Sequence, residues 1–358
     1  MAPPRIRTLA VAVSGIVVLA AAIASASGSP SGMSSRDATY ARSIDARPGT
    51  SLRAARLARA AASFRGGPIT TSTGETVDVR VSDALPFETS TPEGWAEFLT
   101  SLTHGSEIAL LTAYIATLDE VQEICGSDAL GCYAPNEMVA PGEPAPNGTT
   151  AEEVVRHEYG HHVGMHRLNS PWPAIDWGPK AWASAADICG RVARKQAFPG
   201  DEGSNYAQNP GEAWAEVYRL MDERKAGIGA ATWQIISPSF YPDEAALQAA
   251  ERDVLQPWQA GRTTLFARVF GRRTKKVWLI PLPTALDGDL RISATVPNGA
   301  DPEIALLGAD RRTVIRRAQW SGQRVKRLSG SVCGQRGLFV RVTQRGALGR
   351  IRVSAATP

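Results

Sequence analysis

Two hydrophobic periodicities divide this chain near residue 262. Before that point apolar residues recur mostly at helical spacing. After it they alternate with polar residues, as in Leu290/Ile292, Leu338/Val340/Val342 and Ile351/Val353. A period of 3.6 and a period of 2 call for different secondary structures, so one uniform fold cannot serve the whole chain. Helices first and strands last imply an α+β protein of two domains rather than one mixed sheet. About seven alternating runs, separated by Gly, Pro and Asp, predict a small all-β sandwich over 262–358. Charge changes at the same place. From Arg262 onward there are 19 Lys and Arg against 5 Asp and Glu, a net of +14, whereas the preceding residues carry 20 against 30, a net of −10.

The first domain, 66–260, reads as mainly helical with a small sheet. Val77, Val79 and Val81 share one face of a strand within 68–82. Residues 92–124 read as one helix starting at Thr91-Pro92-Glu93, with an apolar face through Leu99, Leu102, Ile108, Leu111 and Ile115. Residues 131–141 read as extended. A helix follows, started by the capping box Thr150-Ala151-Glu152-Glu153 and stopped at Gly164. After a Trp/Pro loop at 169–178, further helices are expected through Trp182, Ile188 and Val192, from Asn209-Pro210-Gly211 through Met221, and over 243–258.

The capped helix contains His157-Glu158-Tyr159-Gly160-His161. Histidines at i and i+4 share a helix face, so both imidazoles can grip one metal ion, and the glutamate beside the first can act as general base on a water that the metal activates. A catalytic zinc site has three protein ligands and one open position. A histidine six residues after His161 would supply the third, but that position is Arg167; His162 and His166 are read as exposed or as supporting residues. Glu212 is the better candidate. It opens a helix at Pro210-Gly211, and Glu216 follows it at i+4, so one carboxylate can bind metal while the other orients a histidine through its second ring nitrogen. Two acids on a face otherwise formed by Ala213, Trp214 and Val217 require compensation, which a cation provides. Glu216, Asp176 and Asp187 remain alternatives for the third ligand. His104 is read as structural.

His-Glu-Tyr-Gly-His followed some fifty residues later by Glu212-Ala213-Trp214-Ala215-Glu216 resembles the glutamate-ligand zincins, or gluzincins, and the second motif is similar to that of the lethal-factor-like metallopeptidases. The resemblance covers roughly residues 95–225. It implies a zincin-like catalytic domain holding Zn2+, and a cleft bordered by the extended segment 131–141, which would pair with substrate backbone. It also implies a tyrosine shortly before the glutamate ligand that stabilises the oxyanion. Tyr206, six residues before Glu212, takes that place. The C-terminal region is similar in pattern and placement to β-sandwiches appended to secreted bacterial peptidases.

Residues 1–26 read as a secretory signal: Arg5 and Arg7, an apolar run over 8–23, and Ala24-Ser25-Ala26 as the cleavage site. Residues 27–65, rich in Ala, Ser and Arg, read as a flexible leader or pro-segment. No transmembrane segment is expected in the mature chain. Export makes the four cysteines readable as disulfides, with Cys125–Cys132 and Cys189–Cys333 the expected pairs.

The expectation is therefore a secreted zinc endopeptidase acting on protein or peptide substrates: His157, His161 and Glu212 on the metal, Glu158 and Tyr206 catalytic. The alternatives are a surface- or polyanion-binding protein with a structural or inactive zinc site, and a zinc amidase acting on cell-wall material. The basic domain fits an anionic cell-surface polymer; stacking aromatics are scarce in it, which argues against sequence-specific nucleic-acid binding.

Overall fold

The computed structural model describes residues 42–43, 63–229, 232–234, 236–320 and 324–358. The signal peptide and nearly all of the leader lie outside the described residues. The remainder contains both helices and sheets, an α+β arrangement with two hydrophobic cores.

The first core is built on a six-stranded sheet. In chain order its strands are β1 (Arg42–Ser43), β2 (Phe64–Thr70), β3 (Thr76–Ser82), β4 (Thr112–Ala116), β5 (Cys132–Ala134) and β6 (Glu137–Pro141), arranged β1-β5-β6-β4-β3-β2. β3, β4 and β6 run parallel, β2 and β5 antiparallel to their neighbours, and β1 adds a parallel strand on the edge of β5. The β2–β3 hairpin agrees with the alternation expected over 68–82, although β2 starts at Phe64, inside the stretch read as leader.

The single helix expected over 92–124 is instead three elements and a strand. Helix α1 (Pro92–Ser101) is capped by Thr91, a short 3-10 turn spans Ser106–Leu110, β4 follows, and α2 (Leu118–Cys125) starts with a capping box at Thr117. Leu111 to Ala116 is almost wholly apolar, and a strand buried on both faces is apolar throughout, so periodicity alone does not distinguish it from a buried helix turn. Ala113 and Ile115 face the main core; Tyr114 and Ala116 face a smaller cluster beneath α2.

Helix α3 (Ala151–Met165) crosses the main core beside the sheet. Its Thr150–Glu153 capping box forms as expected, but Gly164 does not stop it; the helix ends at His166. Gly160 and Gly164 serve packing instead. A Cβ at Gly160 would meet the Cα of Ala215 at 2.8 Å, and one at Gly164 would meet the Trp214 ring at 3.2 Å. Short helices α4 (Ala174–Trp177), α5 (Lys180–Ala185) and α6 (Ile188–Ala193) follow; the helix expected through Trp182 and Val192 breaks at Asp187, whose φ of 54° is left-handed. Helices α7 (Pro210–Lys225) and α8 (Glu244–Leu255) complete this half, capped by Asn209 and Asp243.

Among the described residues the C-terminal half has nine strands: β7 (Arg262–Phe270), β8 (Val277–Pro281), β9 (Gly288–Thr295), β10 (Glu303–Leu307), β11 (Val314–Arg317), β12 (Gln319–Trp320), β13 (Val325–Val332), β14 (Phe339–Thr343) and β15 (Gly349–Thr357). They form two open antiparallel sheets, β11-β10-β14-β8 and β12-β13-β9-β15-β7. Inward residues of both, among them Ile280, Ile304 and Val340 from one and Ile292, Leu328 and Val353 from the other, make one core.

The two halves are joined covalently and by polar contacts. Cys189 on α6 is bonded to Cys333, and Cys125 to Cys132, the two pairs expected. The buried Lys180 ammonium donates to the carbonyls of Ser170 (2.6 Å) and Asp287 (2.7 Å) and lies over the Trp258 ring. Among the described residues no helix is long and apolar enough to cross a membrane.

Candidate metal centre

The i, i+4 spacing on α3 puts His157 and His161 on the face turned toward α7, and Asn209-Pro210 starts α7 so that Glu212 lies in its first turn, opposite them. One ligand atom from each of His157, His161 and Glu212 falls within 4.8 Å of the others, and all three side chains are fully buried. Glu212 Oε2 is 3.3 Å from the Nε2 atoms of both His157 and His161. Among the described residues, His161 Nε2 and Glu212 Oε1 are buried without a hydrogen-bond partner. Orphaned polar atoms at the centre of a His-His-Glu group are what a cation would satisfy.

Glu216 does not join the three. Its Oε2 lies 3.2 Å from His157 Nδ1, which leaves Nε2 turned to Glu212 and the centre. Glu216 is itself held by Arg219, whose Nη2 and Nε donate to it at 2.6 and 3.0 Å, and by the Gln234 N–H at 3.0 Å. Arg219 also donates to both oxygens of Glu223 at 2.8 Å. Asp176 and Asp187, the remaining alternatives for third ligand, are not part of the His157-His161-Glu212 group. Asp176 sits against Gly200 and Gly211, and the half-exposed Asp187 pairs with Arg194.

Charge in this pocket is unbalanced. Burial disfavours a charge on His157, yet its hydrogen bonds to Glu212 and Glu216 outweigh that and raise its pKa to about 9. Burial likewise works against ionised Glu212, but the adjacent His161 and the hydrogen-bonded His157 hold it well below the usual carboxylate range. Against burial, His157 and Arg219 hold Glu216 at about 2. Glu158, Glu212 and Glu216 are three fully buried carboxylates, of which Glu216 is hydrogen-bonded by Arg219. A divalent cation in place of the proton on His157 would restore the balance.

Glu158 lies one residue along α3 and is also fully buried. It faces the N-terminal end of β5: a Cβ at Gly131 would come within 2.7 Å of Glu158 Oε1 and 2.8 Å of Val154. Only glycine lets the strand pass this close. Tyr206, in a 3-10 turn before α7, donates its hydroxyl to Glu212 Oε2 at 2.7 Å. Burial first, then the charges of Glu212, Glu202 and Glu158, hold its phenol well above its ordinary pKa, so it stays a donor. All five residues expected at the site therefore meet there.

Several residues around them were not anticipated. Tyr133 on β5 stacks on the His161 ring at 6.3 Å and hydrogen-bonds His162 Nδ1 at 3.0 Å. His162, read as exposed or supporting, is fully buried; its Nε2 meets the Glu107 carbonyl at 2.8 Å, and burial lowers its pKa to about 4. Glu107 also accepts from Tyr159 and Arg167. His104 lies away from the site, half-buried against the carbonyls of Thr100 and Gly105. Arg42–Ser43 pairs with Cys132–Tyr133, so the edge expected to take substrate backbone carries a piece of this chain.

No protein family and no curated protein matches the chain. Among solved structures, the pre-peptidase C-terminal domain of a collagenase from Bacillus anthracis is similar at 14% identity, over 27% of this chain and 89% of that one, with a TM-score of 0.22. A TM-score of that size does not establish a shared fold.

Proposed function

We propose that this is a secreted zinc-dependent endopeptidase. The observation that carries the reading is the buried His157-His161-Glu212 group, with His161 Nε2 and Glu212 Oε1 lacking hydrogen bonds, next to a further buried acid, Glu158. A structural site closes its coordination with a fourth ligand and needs no adjacent base, whereas a hydrolytic one needs both an open position and a base. Zinc bound by these three side chains would polarise the scissile carbonyl and lower the pKa of water.

The remaining roles belong to the chain. Glu216 holds His157 through Nδ1, and Arg219 holds Glu216, so the imidazole is oriented before any ligand arrives. Glu158 accepts the proton of the attacking water and passes it to the departing amine. The Tyr206 hydroxyl, a donor at neutral pH, turns from Glu212 to the oxyanion of the tetrahedral intermediate. Gly131 keeps β5 close to Glu158, and the wall of the site is Tyr133 and the helix pair α3 and α7.

A second reading, a binding protein with a structural site, draws on the complete burial of these side chains. Chelation separates the two. The peptidase reading expects casein cleavage to stop in the presence of a zinc chelator and to return with one equivalent of Zn2+. Undiminished cleavage in chelator, or zinc bound without cleavage of any peptide library, would sink it.

A further inference from the structure

We propose that the outer face of the five-stranded sheet is a docking surface for an acidic polysaccharide. The inference is independent of whether the metal centre is catalytic. Strand alternation turns Arg350 and Arg352 of β15, Arg291 of β9 and Arg327 of β13 to solvent, while Ile351, Val353, Ile292 and Leu328 point into the core. The register staggers these arginines over three adjacent strands of one face. Arg352 lies opposite Thr295, Arg291 opposite Ser329 and Ala356, and Arg327 opposite Ser293, which in turn pairs with Ser354. Directly opposed residues are ~5 Å apart and same-face residues along a strand ~7 Å apart, so Arg291 and Arg327 are diagonal neighbours, Arg350 and Arg352 are successive on β15 further along the same face, and hydroxyl side chains lie between the two pairs.

Among the described residues, no acid besides Asp289 pairs with this array. The five acids of the C-terminal half are already engaged. Asp287 pairs with Arg336, Asp289 with Arg291, Asp301 with Lys326, and Glu303 with Arg317, Arg341 and Arg345. Asp310 accepts from its own loop, at the N–H groups of Arg312 and Thr313. Six of the nineteen cations are used, and among the described residues the other thirteen have no carboxylate partner, from this half or from the acidic N-terminal half. Arg327, Arg350 and Arg352 are among them. Of the four on the face, Arg291 alone meets a carboxylate, Asp289 at 3.4 Å, with its own side chain 76% exposed.

Exposed guanidinium groups at this spacing bind carboxylate, sulfate or phosphate through paired hydrogen bonds. Two features select the polysaccharide among polyanions. Ser293, Thr295, Ser329 and Ser354 offer hydroxyls to a hydroxyl-rich chain. The large apolar side chains exposed on β7, the neighbouring edge strand, are Leu265 and Val269, which provide no ring on which a base could stack.

The test uses the full chain and two quadruple variants of equal charge change. One replaces Arg291, Arg327, Arg350 and Arg352 by Gln. The other replaces Arg272, Arg273, Lys275 and Lys276 in the β7–β8 turn by Gln. Binding to heparin and to polygalacturonate is measured at about 150 mM salt, where distant charges are screened, with duplex DNA as competitor and the thermal midpoint as a check on folding. The proposal expects the sheet-face variant to bind at least tenfold more weakly at an unchanged midpoint, and the turn variant to bind within threefold of the parent. Equal losses in the two variants would show a diffuse charge effect and overturn it. So would DNA binding tighter than either polysaccharide, or binding to neither polymer.

Discussion

Arginine does opposite things in the two halves of this molecule. Around the metal centre it is buried and matched: Arg156 with Asp222 at 2.9 Å, Arg167 with Glu107 at 2.8 Å, and Arg219 between Glu216 and Glu223 with its side chain fully buried. In the C-terminal half most arginines are exposed, and among the described residues thirteen basic side chains have no carboxylate partner. Burying an ion pair is costly unless geometry and hydrogen bonds repay it, so the first group marks places where the fold fixes a position. Exposed ions contribute little to stability, so the second group is free to serve recognition. Net charge counts both alike; only burial separates them.

The sharpest way to break this contrast is within the first half. Arg219→Met and Arg167→Met each strand a buried carboxylate and are expected to cost ~3–5 kcal/mol in chemical denaturation. They differ in the metal. Loss of Arg219 frees Glu216 and hence His157, which should weaken zinc binding about 10–100-fold, as loss of a ligand-orienting partner does; loss of Arg167 should leave the affinity of the folded fraction unchanged. Equal zinc affinities in the two variants would remove Arg219 from the site. A smaller effect is expected from Gly131→Ala. Its methyl group would press on Glu158 and Val154, its nearest neighbours, so casein cleavage should fall about 10–100-fold with zinc content intact. Smallest is Arg350→Gln, expected to change stability by no more than ~0.5 kcal/mol and to leave cleavage of a soluble peptide as it was. A cost above ~2 kcal/mol there would mean that the sandwich arginines are structural after all.

What could be read from the sequence follows the range of the interaction. The capping box at Thr150, the His157/His161 pair and the start of α7 at Asn209-Pro210 are local, and each formed where its residues indicated. The alternation after residue 262 is local too. Its two sheets share a core because every second residue is apolar. The failures were contacts between elements. β4 is apolar on both faces because it is covered on both, and a one-dimensional pattern cannot tell that from a helix turn. Gly164 looked like a stop, but its role is set by Trp214, fifty residues away. His162 looked like a surplus surface histidine until Glu107 and Tyr133 closed over it. Arg219 was invisible because it donates to the Thr232 carbonyl while Gln234 donates to its partner Glu216, both in a loop that only the tertiary fold brings back to α7. The glycine before Cys132 was the one local sign of the close approach to Glu158, and it was equally consistent with a turn.

The central claim is that the buried His-His-Glu group and its neighbouring acid make a hydrolytic rather than a structural centre. Glu158→Gln tests it most directly, since the amide keeps the shape of the side chain and removes the base. Zinc content and casein cleavage are measured on the parent chain and the variant together. The account predicts one zinc per chain in both and cleavage reduced at least about 100-fold in the variant alone. Zinc retained with cleavage undiminished in the variant, or no zinc in either protein, would contradict it.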